Sequence, residues 1–200
     1  MSDTRSAREK MLAGDPYLSP DPELMALQNQ AVAAMAAFNA TPQDDFAALG
    51  AAARQLFGKV GDSGFIRPPV KVDYGIHVEI GERTFINMDC TFLDCNYIRI
   101  GDRVSIGPNC QFLTVTHPLK SSERQIPFPD DPVIPFRAVS TALPIIIEDD
   151  CWLGAGVIVQ PGITIGQGAV IGSGSVVTKN VPPGVFAAGN PCRVIKDIED

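Results

Sequence analysis

IGERTFINMDCTFL at residues 80–93 is followed by IGDRVSIGPNCQFL at 100–113, and the two stretches align residue for residue. In both, a large apolar residue recurs every six positions: Ile80, Ile86 and Phe92, then Ile100, Ile106 and Phe112. Ile98 and Arg99 shift the frame between them. The rhythm resumes as Ile147, Leu153, Val159, Ile165, Ile171 and Val177. Four places after each of these stands a second inward candidate: Thr84, Cys90, Asn96, Val104, Cys110, Thr116, Cys151, Val157, Ile163, Ala169, Ser175 and Val181. A helix repeats at 3.6 and a plain strand at 2. A period of six fits a short strand followed by a corner, with the aliphatic side chain filling the interior. The Gly, Asn or Asp next to it suits an unusual turn conformation. Three units make one triangular coil, and coils stack about 4.8 Å apart by strand pairing. A β-sandwich would instead alternate at two with irregular turn spacing. Twelve units in register exclude it.

Working outward, residues 1–60 read as a helical region. Asp21 caps a helix opened by Pro22 and Glu23. Leu24, Leu27, Ala31, Ala34, Met35 and Phe38 give it one apolar stripe. A second helix is expected after Thr41-Pro42-Gln43-Asp44, read as a capping box. Its apolar face is Phe46, Leu49, Ala53, Leu56 and Phe57, and Gly58 ends it. Two such helices are marginal alone and must dock on the repeat. Residues 61–200 are assigned to the coil, interrupted from 118 to 146 by a segment with six prolines. So long a loop in a compact fold is functional or disordered, and proline stiffens it. The expected result is an arm that projects over the coil.

Two hundred residues allow one core with a small appendage. The net charge of −7 argues against nucleic acid as the main partner. Residues 1–10 have no apolar leader core, and no apolar run is long enough to span a membrane. Five cysteines without a leader fit reduced thiols in a cytoplasm. Cys90, Cys110 and Cys151 fall at inward positions, as small buried apolar residues. No CxxC pair is present, and His77 and His117 stand alone, so no metal is expected.

The repeat resembles the hexapeptide-repeat acyltransferases, and in particular their maltose and galactoside O-acetyltransferase branch. The likeness is carried by Met11-Leu12-Ala13-Gly14 with Asp21-Pro22-Glu23-Leu24, by Asp73-Tyr74-Gly75, and by Phe85-Ile86-Asn87 with Thr91-Phe92-Leu93-Asp94. Thr116-His117-Pro118 and the tail Gly189-Asn190-Pro191-Cys192-Arg193-Val194-Ile195 complete the set. The resemblance implies a mainly β fold, a left-handed parallel β-helix with an N-terminal helical region. It implies a homotrimer with active sites between subunits, acting on a small-molecule acceptor with acetyl-CoA as donor and no metal. It makes His117 the general base that takes a proton from the acceptor hydroxyl, since an imidazole can do so at neutral pH. Asn87 becomes an acceptor-site residue that orients the hydroxyl or polarises the intermediate.

By the same resemblance Asp73, Phe85 and Asp94 line the sugar site. Trp152, at an outward position, stands beside the thioester. Ala155 and Ser173 line the pantetheine channel. Thr178, Lys179 and Arg193 meet the phosphates, where cations and N–H donors are needed. Lys196 replaces an arginine found in some relatives, and Cys95 stands where relatives carry an acid. The N-terminal carboxylate that touches sugar in the family falls on Asp15, on Asp21 or on neither. Alternatives are the same fold acting on an antibiotic, an amino sugar or serine, and a non-catalytic scaffold.

Overall fold

The computed structural model of the chain describes residues 3–128 and 136–198. The central stretch of the interrupting segment, with Pro129, Pro132 and Pro135, lies outside the described residues. The six-residue rhythm builds a parallel β-helix with three walls. The first wall stacks Lys59–Val60, Val78–Ile80, Ile98–Ile100, Ile145–Ile147 and Thr164–Ile165. The second stacks Phe65–Ile66, Phe85–Ile86, Ser105–Ile106, Trp152–Leu153 and Val170–Ile171, topped by Val185–Gly189 and the antiparallel tail Cys192–Asp197. The third stacks Val70–Val72, Cys90–Leu93, Gln111–Leu113, Ile158–Val159 and Val176–Val177.

Each wall contributes one interior column. Val60, Ile80, Ile100, Ile147 and Ile165 pair in register on the first wall. Ile66, Ile86, Ile106, Leu153 and Ile171 do so on the second. Val72, Phe92, Phe112, Val159 and Val177 form the third. Phe92 and Phe112 are fully buried and stack at 5.3 Å with planes 7° apart. All five cysteines are buried and free. Burial pushes the Cys151 thiol up to about 11, so it stays protonated and unreactive at neutral pH.

Several expectations need correction. The coil starts one turn earlier than the twelve units, with Val60, Ile66 and Val72. Thr116 is exposed and Thr114 is buried in its place, because the chain leaves the coil there. The glycine beside each aliphatic residue is not the left-handed position. Positive φ falls two residues later, at Arg83, Asp89, Arg103, Asn109 and Asp150. The glycine is needed for close stacking instead: a Cβ on Gly154 would sit 2.7 Å from the Ser173 backbone nitrogen of the next coil.

Helix α1, Ala7–Ala13, opens with a capping box between Ser6 and Glu9. In α2, Pro22–Ala40, the Asp21 side chain accepts from the Glu23 and Leu24 N–H groups, as expected. The cap of α3, Phe46–Leu56, is Asp45, which accepts from Ala48 N–H; Thr41 instead bonds back to the Ala37 carbonyl. Phe57, not Gly58, closes α3. Phe46 is 68% exposed, outside the buried face of Leu49, Ala53 and Leu56. Phe38 and Phe57 continue the Phe92–Phe112 column at ring separations of 6.2 and 5.8 Å, so α2 and α3 plug the open end of the coil. No helix among the described residues is long and apolar enough to cross a membrane.

The region before residue 60 is not purely helical. Tyr17–Ser19 is a strand, antiparallel to Phe136–Ala142 of the interrupting segment. That strand also pairs with Val115–Thr116 and Gln125–Pro127. The arm is therefore a small antiparallel sheet shared with the N-terminal region. Asn96 clamps it to the coil. Its Nδ2 donates to the carbonyls of Met11, Leu12 and Ala142 at 3.1, 3.3 and 2.8 Å. Its Oδ1 accepts from Tyr97 N–H at 2.7 Å. Asn96→Ala leaves these buried groups unpaired and is expected to cost about 1–3 kcal/mol. Urea unfolding checks this, together with faster proteolysis ahead of residue 20 as α1 loosens.

Candidate active site

Two corners of the prism carry most of the sequence-predicted residues. The corner between the second and third walls holds Asn87, Ala155 and Ser173, with Phe85 and Trp152 on the adjoining second wall. The corner between the third and first walls holds Asp73, Asp94, His117, Thr178 and Lys179. The third wall separates these corners. At about 3.3 Å per residue, Asn87 and the point where His117 leaves the coil lie roughly 15–20 Å apart. Asn87 and His117 therefore lie at different corners of one chain.

His117 is exposed, directly after the strand Val115–Thr116 that leads into the arm. Its Nδ1 lies 2.9 Å from the Val139 carbonyl and 3.3 Å from Ser140 Oγ. A carbonyl only accepts, so Nδ1 carries a proton, and in the neutral ring Nε2 is the nitrogen with the lone pair. The backbone of the arm thus selects the tautomer a general base requires.

Beside it lies a polar cluster of Asp73, Cys95, Tyr17 and Ser140, of which the sequence reading names the first two and misses the others. Tyr17 pairs across the strands with Ser140. Cys95 Sγ donates to Asp73 Oδ2 at 3.3 Å. Tyr17 and Cys95 are buried, and burial drives both well above their ordinary ranges. Burial also raises the Asp73 carboxyl. No local signal marks Tyr17, because its contacts come from residues far along the chain.

Asp94 does not face this opening. Its side chain is fully buried. Its Oδ1 accepts from the Asp73 and Tyr74 N–H groups at 3.1 and 2.9 Å, and its Oδ2 from His77 N–H at 3.3 Å. Burial raises its carboxyl above the usual range. With its oxygens so engaged, Asp94 holds the turn that presents Asp73 and offers no free face to a hydroxyl. His77 is buried beside it, with Nδ1 2.7 Å from the Asp94 carbonyl, and burial lowers its basicity.

On the other corner, Asn87 Oδ1 accepts from Met88 N–H at 2.9 Å and from Arg67 Nη1 at 3.3 Å. This fixes the amide and leaves its NH₂ as the free donor. Arg67, which the sequence reading passed over, also reaches Gln43 Oε1 at 3.3 Å. Higher on the same side, Trp152 is 57% exposed. Ala155 is exposed, and its N–H donates to Ser173 Oγ at 3.1 Å, so that pair is already linked across two coils. At the top, Lys179 and Arg193 line one hollow of about 130 Å³ with Asn180 and Cys192, and Arg193 Nη1 donates to the Cys192 carbonyl at 2.8 Å.

Comparison with known proteins gives the family. The maltose acetyltransferase hexapeptide capping motif matches residues 10–61, and the hexapeptide repeat of succinyl-transferase matches 144–179. A maltose O-acetyltransferase from Clostridium difficile 630 is 40% identical, with a TM-score of 0.90 over 99% of this chain and 100% of its own. A galactoside acetyltransferase in complex with coenzyme A is 31% identical, with a TM-score of 0.88 over 98% and 93%. A hexapeptide-repeat acetyltransferase of Vibrio cholerae O1 biovar eltor, complexed with acetyl coenzyme A, is 36% identical at 0.84 over 98% and 100%. The chain belongs to the maltose and galactoside O-acetyltransferase branch of the hexapeptide-repeat acyltransferases. It is an acetyl-CoA-dependent acetyltransferase.

Proposed function

We propose that the chain moves acetyl from acetyl-CoA to a sugar hydroxyl, in a cytoplasmic homotrimer whose clefts join the Asn87 corner of one subunit to the His117 corner of the next. The observation that carries this reading is the His117 ring, exposed and held with Nδ1 protonated by the Val139 carbonyl. Nε2 takes the hydroxyl proton as the oxygen attacks the thioester carbonyl. The C–O bond forms, the C–S bond breaks, and the imidazolium returns the proton to the departing thiolate. The Asn87 NH₂ donates to the acceptor hydroxyl or to the developing oxyanion. Trp152, Ala155, Ser173, Thr178, Lys179 and Arg193 hold the donor. Asp73 and Phe85 hold the sugar, with Tyr17 and Cys95 shaping its pocket. The acceptors of the maltose and galactoside enzymes it resembles set the expected substrate class.

The shared cleft has a direct test. Asn87→Ala and His117→Ala homotrimers are each expected to be nearly inactive. Dissociated, mixed in equal amounts and reassembled, they regain about one quarter of wild-type activity, because random assembly leaves that share of clefts with both residues intact. Thiol release from acetyl-CoA reports the outcome. Failure to regain activity would place both residues in separate steps or in one subunit.

A further inference from the structure

We propose that Phe85, Phe65 and Phe46 form a binding row for the further sugar units of an oligosaccharide acceptor, running from the acetylation point toward the N-terminal cap. The inference rests on the sugar-acceptor reading above.

On the outside of the second wall, register places Phe65 under Phe85, Ser105 above it and Trp152 above that. The donor residues therefore lie to one side of Ser105 and the phenylalanines to the other. Phe85 is two residues from Asn87. Phe65 stacks on Phe85 with centroids 6.0 Å apart and planes 17° apart. Phe46, from the first turn of α3, meets Phe65 edge-on at 5.6 Å. Phe46 is 68% exposed and adds nothing to the buried face of its helix. Folding does not account for a large ring at that position.

Beside the row runs a cleft of about 460 Å³ between α3 and the first coil. Arg54, Asp62 and Ser63 line it with charge and hydrogen-bonding groups. Glu82 fixes that loop by accepting from the Asp62 and Ser63 N–H groups at 3.1 and 3.0 Å. Arg67 ties the start of the row to its end, bonding Asn87 on one side and Gln43, three residues before Phe46, on the other. A pyranose has two apolar C–H faces and a polar rim. Aromatic rings in series with polar groups alongside complement that shape, and centroid separations of 6.0 and 5.6 Å space the rings on the scale of one sugar residue. Phe65 also packs against the core, whereas a monosaccharide acceptor would leave the exposed Phe46 without a role.

The test is the dependence of kcat/KM on acceptor length. Glucose, maltose, maltotriose and maltotetraose form one series, and the cello-oligosaccharides a second. In at least one series the wild type is expected to prefer the tetrasaccharide over the monosaccharide by about tenfold, through KM. Phe46→Ala is expected to bring that ratio severalfold closer to one. A flat profile in both series would overturn the subsite while leaving acetyl transfer to sugars intact. So would an unchanged ratio in Phe46→Ala. Loss of the oligomeric mass in that variant would assign the row to the subunit contact instead, and would also overturn it. No turnover of any sugar would overturn both this inference and the reading beneath it.

Discussion

His117→Ala is expected to lower kcat by roughly 10²–10⁴, the usual range for removal of a general base. KM for acetyl-CoA should stay close to wild type, because the imidazole is assigned to the proton and not to the donor. His117→Gln is the sharper variant. An amide keeps a donor toward the Val139 carbonyl but offers no basic nitrogen, so its kcat should be as low as that of the alanine variant. If glutamine retained most of the activity, hydrogen bonding alone would explain the role of this position. The assignment rests on geometry: in the neutral ring, the 2.9 Å contact from Nδ1 to a carbonyl places the proton on Nδ1 and makes Nε2 the basic nitrogen.

Phe112→Ala is expected to destabilise the fold by about 3–5 kcal/mol. That corresponds to a fall in melting midpoint of roughly 6–20 °C for a chain of this size. The ring is fully buried and sandwiched in the column that runs from Phe92 toward Val159. The coil cannot collapse onto the missing ring, because its walls are held by strand pairing above and below. Phe112→Leu restores most of the volume and should recover more than half of the loss. A shift below about 2 °C for the alanine variant would mean that the interior column is not what holds the walls together.

The interior of the coil could be read from the sequence because its cause is local. Strand, corner and inward side chain recur every six residues, so Ile86, Phe92, Cys110 and Leu153 announce their own positions. The first turn was hidden for a related reason. Val60, Ile66 and Val72 keep the spacing of six, and the step from Val72 to Ile80 equals that from Phe92 to Ile100, but Gly64 and Ile76 stand where the second inward residues are expected; the pairing of Val60 with Ile80 makes the turn plain. The helix caps split the same way. Asp21 followed by proline is a signal within two residues, whereas choosing Asp45 over Thr41 depends on how α3 seats against the coil.

The candidate site was legible only in part, because its geometry is set over long distances. Tyr17 meets Ser140 across more than a hundred residues, and Asn96 gathers carbonyls from Met11 to Ala142. Neither has a periodic signature. Asp94 shows the opposite hazard. A carboxylate at a corner looks solvated in sequence, yet three backbone N–H groups converge on it and bury it. Helical spacing puts Phe46 on a buried face, but the burial of α3 begins only at Leu49, one turn later, and leaves that ring beside Phe65.

The most direct measurement is release of free thiol from acetyl-CoA, with and without maltose and a simple galactoside, with mass spectrometry of the sugar. The account predicts thiol release that depends on the sugar and matches the acetylated sugar formed, mole for mole. Thiol release that is indifferent to every sugar offered, or a sugar recovered unmodified, would contradict it.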